Sequence, residues 1–362
     1  MDRKEKACLC SLHSINGIGT KSIWKIIESF GSFQACYESS EKRLQASFFA
    51  KDVVESIINV KNHDPETRFD QMTAAGIRVV TWDEEAYPAM LRHIHNPPYV
   101  LYYRGQIDCL AGTAIALVGS RLASYYGKNT ARKLGRELAA RGIVVVSGLA
   151  RGIDSEAHRG ALETGQTVAV LGCGLDVVYP PENKKLYSEI ADNGAVVSEF
   201  PCHIGPEPGN FPMRNRIISG LCRGVVVIEA QEKSGALITA DFALEQGRDV
   251  FAVPGPINSK SSVGTNNLIK QGAKLVSSLE DIIEEYEDVA STLSGELAQP
   301  VLPLLSREEN QILESIENDP GHFDYLLDRT GLNIGQLSTL LLQLELRGII
   351  TALPGNYYIK QS

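Results

Sequence analysis

Two short loops place glycines around an arginine just ahead of an amphipathic stretch. They are Val118-Gly119-Ser120-Arg121, followed by Ser124, and Ser147-Gly148-Leu149-Ala150-Arg151-Gly152-Ile153-Asp154. Glycine lets a backbone approach an anion closely, a helix amino terminus adds oriented N–H donors, and a guanidinium supplies a forked cation. That chemistry suits a phosphate. Two further small-residue turns, Gly172-Cys173-Gly174 and Ser234-Gly235-Ala236-Leu237-Ile238-Thr239, have a related character. Each loop alone also reads as a tight strand-to-helix turn, but two arginines on one sheet edge favour the phosphate reading for the set. A fifth segment, Asn210-Phe211-Pro212-Met213-Arg214-Asn215-Arg216, sets an aromatic beside closely spaced arginines and an asparagine. A base stacked on Phe211 with cations on the sugar-phosphate backbone fits that pattern; a Phe211 packed into the core fits it equally. Lys184 and Lys185, after Tyr179-Pro180-Pro181, extend a basic strip or lie on an exposed helix face.

The chemistry that is missing narrows the choice. There is no GxxxxGK[ST] for ATP-driven work and no GxGxxG with a following acid for a dinucleotide. There is no GxSxG and no His/Cys spacing for a metal. Asp154 and His158, four apart, share a helix face, a pair that serves capping and packing more often than acid–base work. Glu199, Glu229 and Asp241 are the other polar residues near the loops, and nothing among them demands catalysis.

The elements that must hold these loops alternate along the middle of the chain. Apolar runs at 114–118, 143–147, 167–171, 195–198, 224–229 and 249–253 read as strands. Amphipathic stretches at 124–141, 154–163, 182–193, 235–247 and 265–272 read as helices between them. Continuous apolar strands alternating with helices predict an α/β fold, a Rossmann-like doubly wound, mainly parallel sheet covered on both faces. Open sheets of this kind place ligands at the carboxyl ends of their strands.

The flanks read differently. Residues 1–75 are helical, with Ile23, Ile26, Ile27 and Phe30 spaced three and four apart. There Ile15-Asn16-Gly17-Ile18-Gly19, with Lys21 and Lys25, looks like a helix-hairpin-helix turn. Residues 76–286 form the Rossmann-like domain and 287–305 a small, polar linker. Residues 306–362 read as three helices, with capping boxes at Ser306/Glu309 and Asn333/Gln336, and a hairpin, which together suggest a winged-helix module. The net charge of −9 argues against a nucleic-acid partner until it is mapped. Eleven acids against one base fall in 280–317, and 76–279 carry a net +2, so a phosphate ligand stays open for the middle domain. The winged-helix stretch has four bases and eight acids, which favours protein contact or regulation there over a grip on DNA. The amino-terminal residues predict no secretory signal, and no apolar run reaches the ~18 residues of a membrane span. Seven scattered cysteines predict reduced thiols in the cytoplasm.

The run of motifs resembles the bacterial DNA-processing protein A (DprA, or Smf) family. It includes Tyr87-Pro88, Pro97-Pro98, the Gly119-Ser120-Arg121 loop, Gly148 through Asp154, Ala157-His158, Gly172 through Asp176 and Ser198-Glu199-Phe200-Pro201. It continues through Phe211 to Arg216, Ser234 to Thr239, Gly247 to Gly255 and Gly272 to Val276, covering about 87–276 densely. The resemblance implies a cytoplasmic homodimer that binds single-stranded DNA without sequence preference, protects it, and helps load the RecA recombinase in natural transformation. It implies a DNA pocket of Gly119, Ser120, Arg121, Gly148, Arg151, Phe211, Arg214, Asn215 and Gly235, with Lys184 or Lys185 beside it, and no cofactor, metal or catalytic residue. Family members often carry a basic residue three before the aromatic, where this chain has Pro208. The main rival is a nucleotide-binding phosphoribohydrolase-like enzyme using Glu229 or Glu245, whose PGGxGT-type loop is replaced here by Lys233-Ser234-Gly235-Ala236-Leu237-Ile238-Thr239.

Overall fold

A computed structural model describes residues 1–286, 306–316 and 320–360, so the linker expected at 287–305 lies outside the described residues. The chain divides into two compact units, Met1–Thr292 and Leu293–Ser362. In the first, helices α1 (Arg3–His13), α2 (Thr20–Phe30), α3 (Phe33–Tyr37), α4 (Glu41–Gln45), α5 (Lys51–Val60) and α6 (Pro65–Ala74) precede the sheet. Strands β1 (Arg78–Thr81) and β2 (Val100–Gly105) flank the short α7 (Ala89–Arg92). Then β3 (Ala114–Val118), α8 (Tyr125–Ala140), β4 (Val144–Ser147), α9 (Ile153–Leu162), β5 (Thr167–Leu171), α10 (Lys184–Asn193) and β6 (Ala195–Ser198) alternate. The second half follows as α11 (Asn210–Gly220), β7 (Gly224–Val227), α12 (Gly235–Glu245), β8 (Asp249–Ala252), α13 (Val263–Lys270), β9 (Lys274–Leu275) and α14 (Glu280–Ile283).

The sheet order is β1-β2-β6-β5-β4-β3-β7-β8-β9, parallel from β6 to β9 and antiparallel at the β1-β2-β6 edge. The central strands β3 to β7 are buried end to end because helices cover both faces, as their unbroken apolar runs require. Every strand and helix expected between 114 and 272 is present within a few residues. The edge pair β1 and β2, the short β9, and helices α7 and α11 were not foreseen. Helix α11 hides behind Pro212, its third residue, where the missing N–H has no intrahelical partner to lose. The chain reverses its direction of growth at β3, which pairs with β4 on one side and β7 on the other. That is the topological switch point.

Helices α1 to α6 pack on the β1-β2-β6 side of the sheet. Leu9, Leu12, Ile23, Ile26 and Phe33 share one apolar core with Tyr102, Leu171, Val196 and Tyr187. Between α1 and α2 the turn runs through Gly17, held at φ 92°, with Ile15 and Ile18 buried beside it. In the second unit, helices Arg307–Ser315, Phe323–Thr330 and Ile334–Leu346 carry the two expected capping boxes. A three-stranded sheet in the order Gly321–His322, Tyr357–Lys360, Ile350–Leu353 completes a winged-helix arrangement. No helix among the described residues is long and apolar enough to cross a membrane, and all seven cysteines are free.

Two core histidines make stability depend on pH. Burial lowers His158 to about 3 and His13 to about 4. His158 Nδ1 sits 2.7 Å from Thr167 Oγ1, whose own proton goes to the Val145 carbonyl, so the imidazole donates there as a neutral ring. Below pH 6.5 the unfolded chain binds protons that the folded one refuses. Stability is therefore fully present above the unfolded pKa and falls as the pH drops beneath it, by up to about 1.4 kcal/mol per pH unit for each ring. Thermal unfolding between pH 7 and 5 should show a falling midpoint, with a shallower slope in His158→Asn; an identical slope in the variant would contradict this account.

Candidate nucleic-acid interface

Each loop at the switch point is held by a buried carboxylate. After β3, Gly119 turns so closely that a Cβ there would lie 2.6 Å from Ile153 Cγ1. The Ser120 amide donates to the Glu229 carbonyl at 2.8 Å, and the Leu122 amide to Ser120 Oγ at 3.1 Å. Ser124 caps α8, while its own amide (2.9 Å) and hydroxyl (2.5 Å) donate to the Glu229 carboxylate. Ser261 Oγ donates to the same carboxylate at 3.3 Å, and Gly127 leaves room for it, since a Cβ there would lie 2.5 Å away. Glu229 is buried and committed to the scaffold.

The loop after β4 is organised by Asp154, which accepts the amides of Gly148 at 3.1 Å and Ala150 at 3.3 Å. Burial pushes its carboxyl up, opposed chiefly by the Arg214 guanidinium. Arg214 is itself buried and donates to the carbonyls of Gly148, at 2.8 Å, and Val170. Burial brings its pKa down to about 10. Gly148 is needed because a Cβ would meet that guanidinium at 2.5 Å, and Gly152, at φ 74°, passes against the Ser120 carbonyl. Arg216 turns the other way from α11 into a buried, two-pronged pair with Glu199, at 3.0 and 2.6 Å. The two arginines that the sequence offered to a nucleic-acid backbone thus floor and brace the site, because α11 aims one at the Gly148 and Val170 carbonyls and the other at Glu199.

What remains on the surface is a cleft of about 620 Å³ at the carboxyl ends of β3 and β7. The exposed Arg121 lies over the Phe211 ring, 5.4 Å from its centroid. Tyr179 tilts against the same ring at 5.6 Å. Asn215 Nδ2 donates to the Gly235 carbonyl at 3.2 Å, tying α11 to the start of α12. A guanidinium, two aromatic faces and open backbone in one concave site can hold a stacked base and an adjacent phosphate.

Of the residues expected in a pocket, Gly119, Ser120, Arg121, Phe211, Arg214, Asn215 and Gly235 line this cleft. Gly148 and Arg151 line an adjoining recess, shared with Arg121, Tyr179, Phe211 and Arg214. Arg151 is paired there with Glu182. Lys184 and Lys185 line neither; they are exposed on α10, with Lys185 3.5 Å from Glu189. Leu122, Tyr179 and Lys233 also line the cleft and were overlooked, although each stands next to a loop already singled out. Pro208 lines it as well. Among the described residues no cluster of His, Cys, Asp or Glu could hold a metal.

Comparison with known proteins places these features in a family. Residues 78–287 match the family model described as DNA recombination-mediator protein A, and 296–356 match a DprA winged helix domain. Protein Smf of Synechocystis is 33% identical over 99% of both chains. The DNA processing protein DprA of Streptococcus pneumoniae is 47% identical over 56% of this chain and 72% of its own. The X-ray structure of DprA from that organism superposes with a TM-score of 0.68 at 37% identity, covering 79% of this chain and 98% of the other. A structure of DNA processing protein A from Helicobacter pylori, described for its single-stranded DNA binding mode, matches with a TM-score of 0.54 at 32% identity, over 59% and 96%. The chain belongs to the DNA recombination-mediator protein A (DprA/Smf) family.

Proposed function

We propose that the switch-point cleft binds single-stranded DNA without sequence preference and performs no chemistry on it. The observation that carries this reading is the exposed Arg121 guanidinium stacked over Phe211 at the cleft, a pair suited to any base and its phosphate. The Helicobacter protein's described single-strand binding mode supports it. The rival enzymatic reading needs Glu229 or Glu245 as an acid. Glu229 is occupied by Ser124 and Ser261, and Glu245 is at the surface on the last turn of α12. A fluorescent oligo-dT and its duplex, titrated across salt, test the reading. Tighter binding to the single strand is expected, because a narrow cleft accepts splayed bases and not a stacked helix; equal affinity for both would sink it.

The family resemblance extends the proposal to a cytoplasmic homodimer that protects incoming strands and helps load RecA during transformation. Leu244 on α12, 61% exposed, and Leu275 on β9, 44% exposed, supply apolar surface for a second copy. Light scattering of the full chain at micromolar concentration is expected to give a dimer mass, and a monomer mass would refute it. Removing 306–362 is expected to leave oligo-dT affinity nearly unchanged, since those residues hold eight acids against four bases. A tenfold loss, about 1.4 kcal/mol, in a folded truncation would make the module part of the grip.

A further inference from the structure

Helix α8 leaves the cleft as a one-signed strip. Its sixteen residues hold Lys128, Arg132, Lys133 and Arg136 against a single acid, Glu137. At about 100° per residue the four bases fall within an arc of about 140°. The opposite side of the helix buries Ala131, Leu134 and Leu138 against the sheet and α9. Arg132 is bridged to Glu163 at 2.6 Å, while Lys128, Lys133 and Arg136 form no ion pair among the described residues. The strip begins one turn past Ser124, the cap that closes the Arg121 loop, and Lys128 to Arg136 spans about 12 Å along the axis. Between the bases lie Asn129 and Thr130, and at the cleft end of the strip the rings of Tyr125 and Tyr126 are exposed, faces on which a base can stack. Cations in a row, with Glu137 the one acid beside Lys133 and Arg136 on the helix, suit the backbone of a strand leaving the stacking site.

We propose that a single strand held in the cleft continues along α8, where Lys128, Lys133 and Arg136 neutralise its phosphates as a sequence-blind track. This rests on the cleft reading above. The test compares a six-base and a fifteen-base oligo-dT on the full chain, wild type, Arg121→Ala, and the triple variant Lys128→Gln, Lys133→Gln, Arg136→Gln. Glutamine keeps helix propensity; Lys128 and Lys133 are exposed and Arg136 is half-buried. The triple variant is expected to bind the six-base strand within twofold of wild type and the fifteen-base strand at least tenfold more weakly. The salt slope for the longer strand should shrink by roughly 2, at about 0.7 per lost phosphate contact on a single strand. Should the triple variant fail to fold, Lys128→Gln and Lys133→Gln singly should each shrink that slope by about 0.7. An unchanged affinity and slope for the longer strand overturns the track and leaves the strip to an acidic protein segment. Equal losses for both lengths also overturn it. The cleft reading fails separately, by Arg121→Ala leaving both lengths unaffected; a wild type that binds neither length overturns both.

Discussion

Arg121→Ala is expected to weaken binding to every oligo-dT length by ten- to a hundredfold without moving the thermal midpoint. The side chain is exposed, makes no ion pair among the described residues, and rests on Phe211. Its removal takes away a phosphate partner and one face of a stacking platform; stacking alone is worth about 1–3 kcal/mol per base. The loss should be uniform across base composition, with a shallower salt dependence, because the lost contact reads charge and not sequence. Phe211→Ala should weaken binding by a similar factor but leave the salt slope alone. Anisotropy titrations at several salt concentrations separate the two. An Arg121→Ala protein with wild-type affinity and slope would move the site elsewhere on the molecule.

Arg214→Met is expected to do the reverse and cost stability on the order of 3–5 kcal/mol, the usual penalty for leaving a buried charge without its counter-charge. The guanidinium satisfies the carbonyls of Gly148 and Val170 and is the chief counter-charge to buried Asp154. Methionine fills part of the volume, takes the guanidinium donor from both carbonyls and removes the chief counter-charge of a carboxylate that keeps only the Gly148 and Ala150 amides. Adding Asp154→Asn removes the lone charge while its side-chain oxygen can still accept the Gly148 and Ala150 amides. The double variant should therefore regain part of the loss. Denaturant unfolding of the wild type, both single variants and the double variant gives the coupling directly. Additive losses would mean that the two groups do not act as a pair.

These contrasting roles mark where sequence reasoning was sufficient and where it was not. The strands from β3 to β8 were legible because a strand buried on both faces must be mostly apolar, as Ala114–Val118 and Thr167–Leu171 are. The winged-helix unit was legible through its capping boxes, which are local patterns. Strands β1 and β2 escaped notice because an antiparallel edge carries mixed sequence, Arg78 to Thr81 and Val100 to Gly105, with only the four-residue α7 between them. In the site, Arg121 and Arg214 look alike as letters. What separates them is that one follows a strand on an open loop, and the other projects from a helix whose presence Pro212 obscured. Charge without its helical phase could not reveal that Arg214 and Arg216 face inward, nor that Lys184 and Lys185 lie off the cleft.

The α8–α9 crossing bears on how the cleft meets its ligand. A Cβ on Gly135 would lie 2.4 Å from the Ala157 carbonyl, and one on Gly160 would lie 2.0 Å from the Arg132 carbonyl. The two helices therefore touch backbone to backbone, with no side-chain layer to slide on. Each helix begins at one of the two arginine loops, so neither loop can be displaced without dragging a whole helix past its neighbour. The crossing fixes the spacing of the two loops, so the single-strand binding proposed above would spend little on ordering them. On that proposal most of the conformational entropy lost is the strand's own, so stiff, self-stacked bases should bind less well than limp ones of the same length and charge.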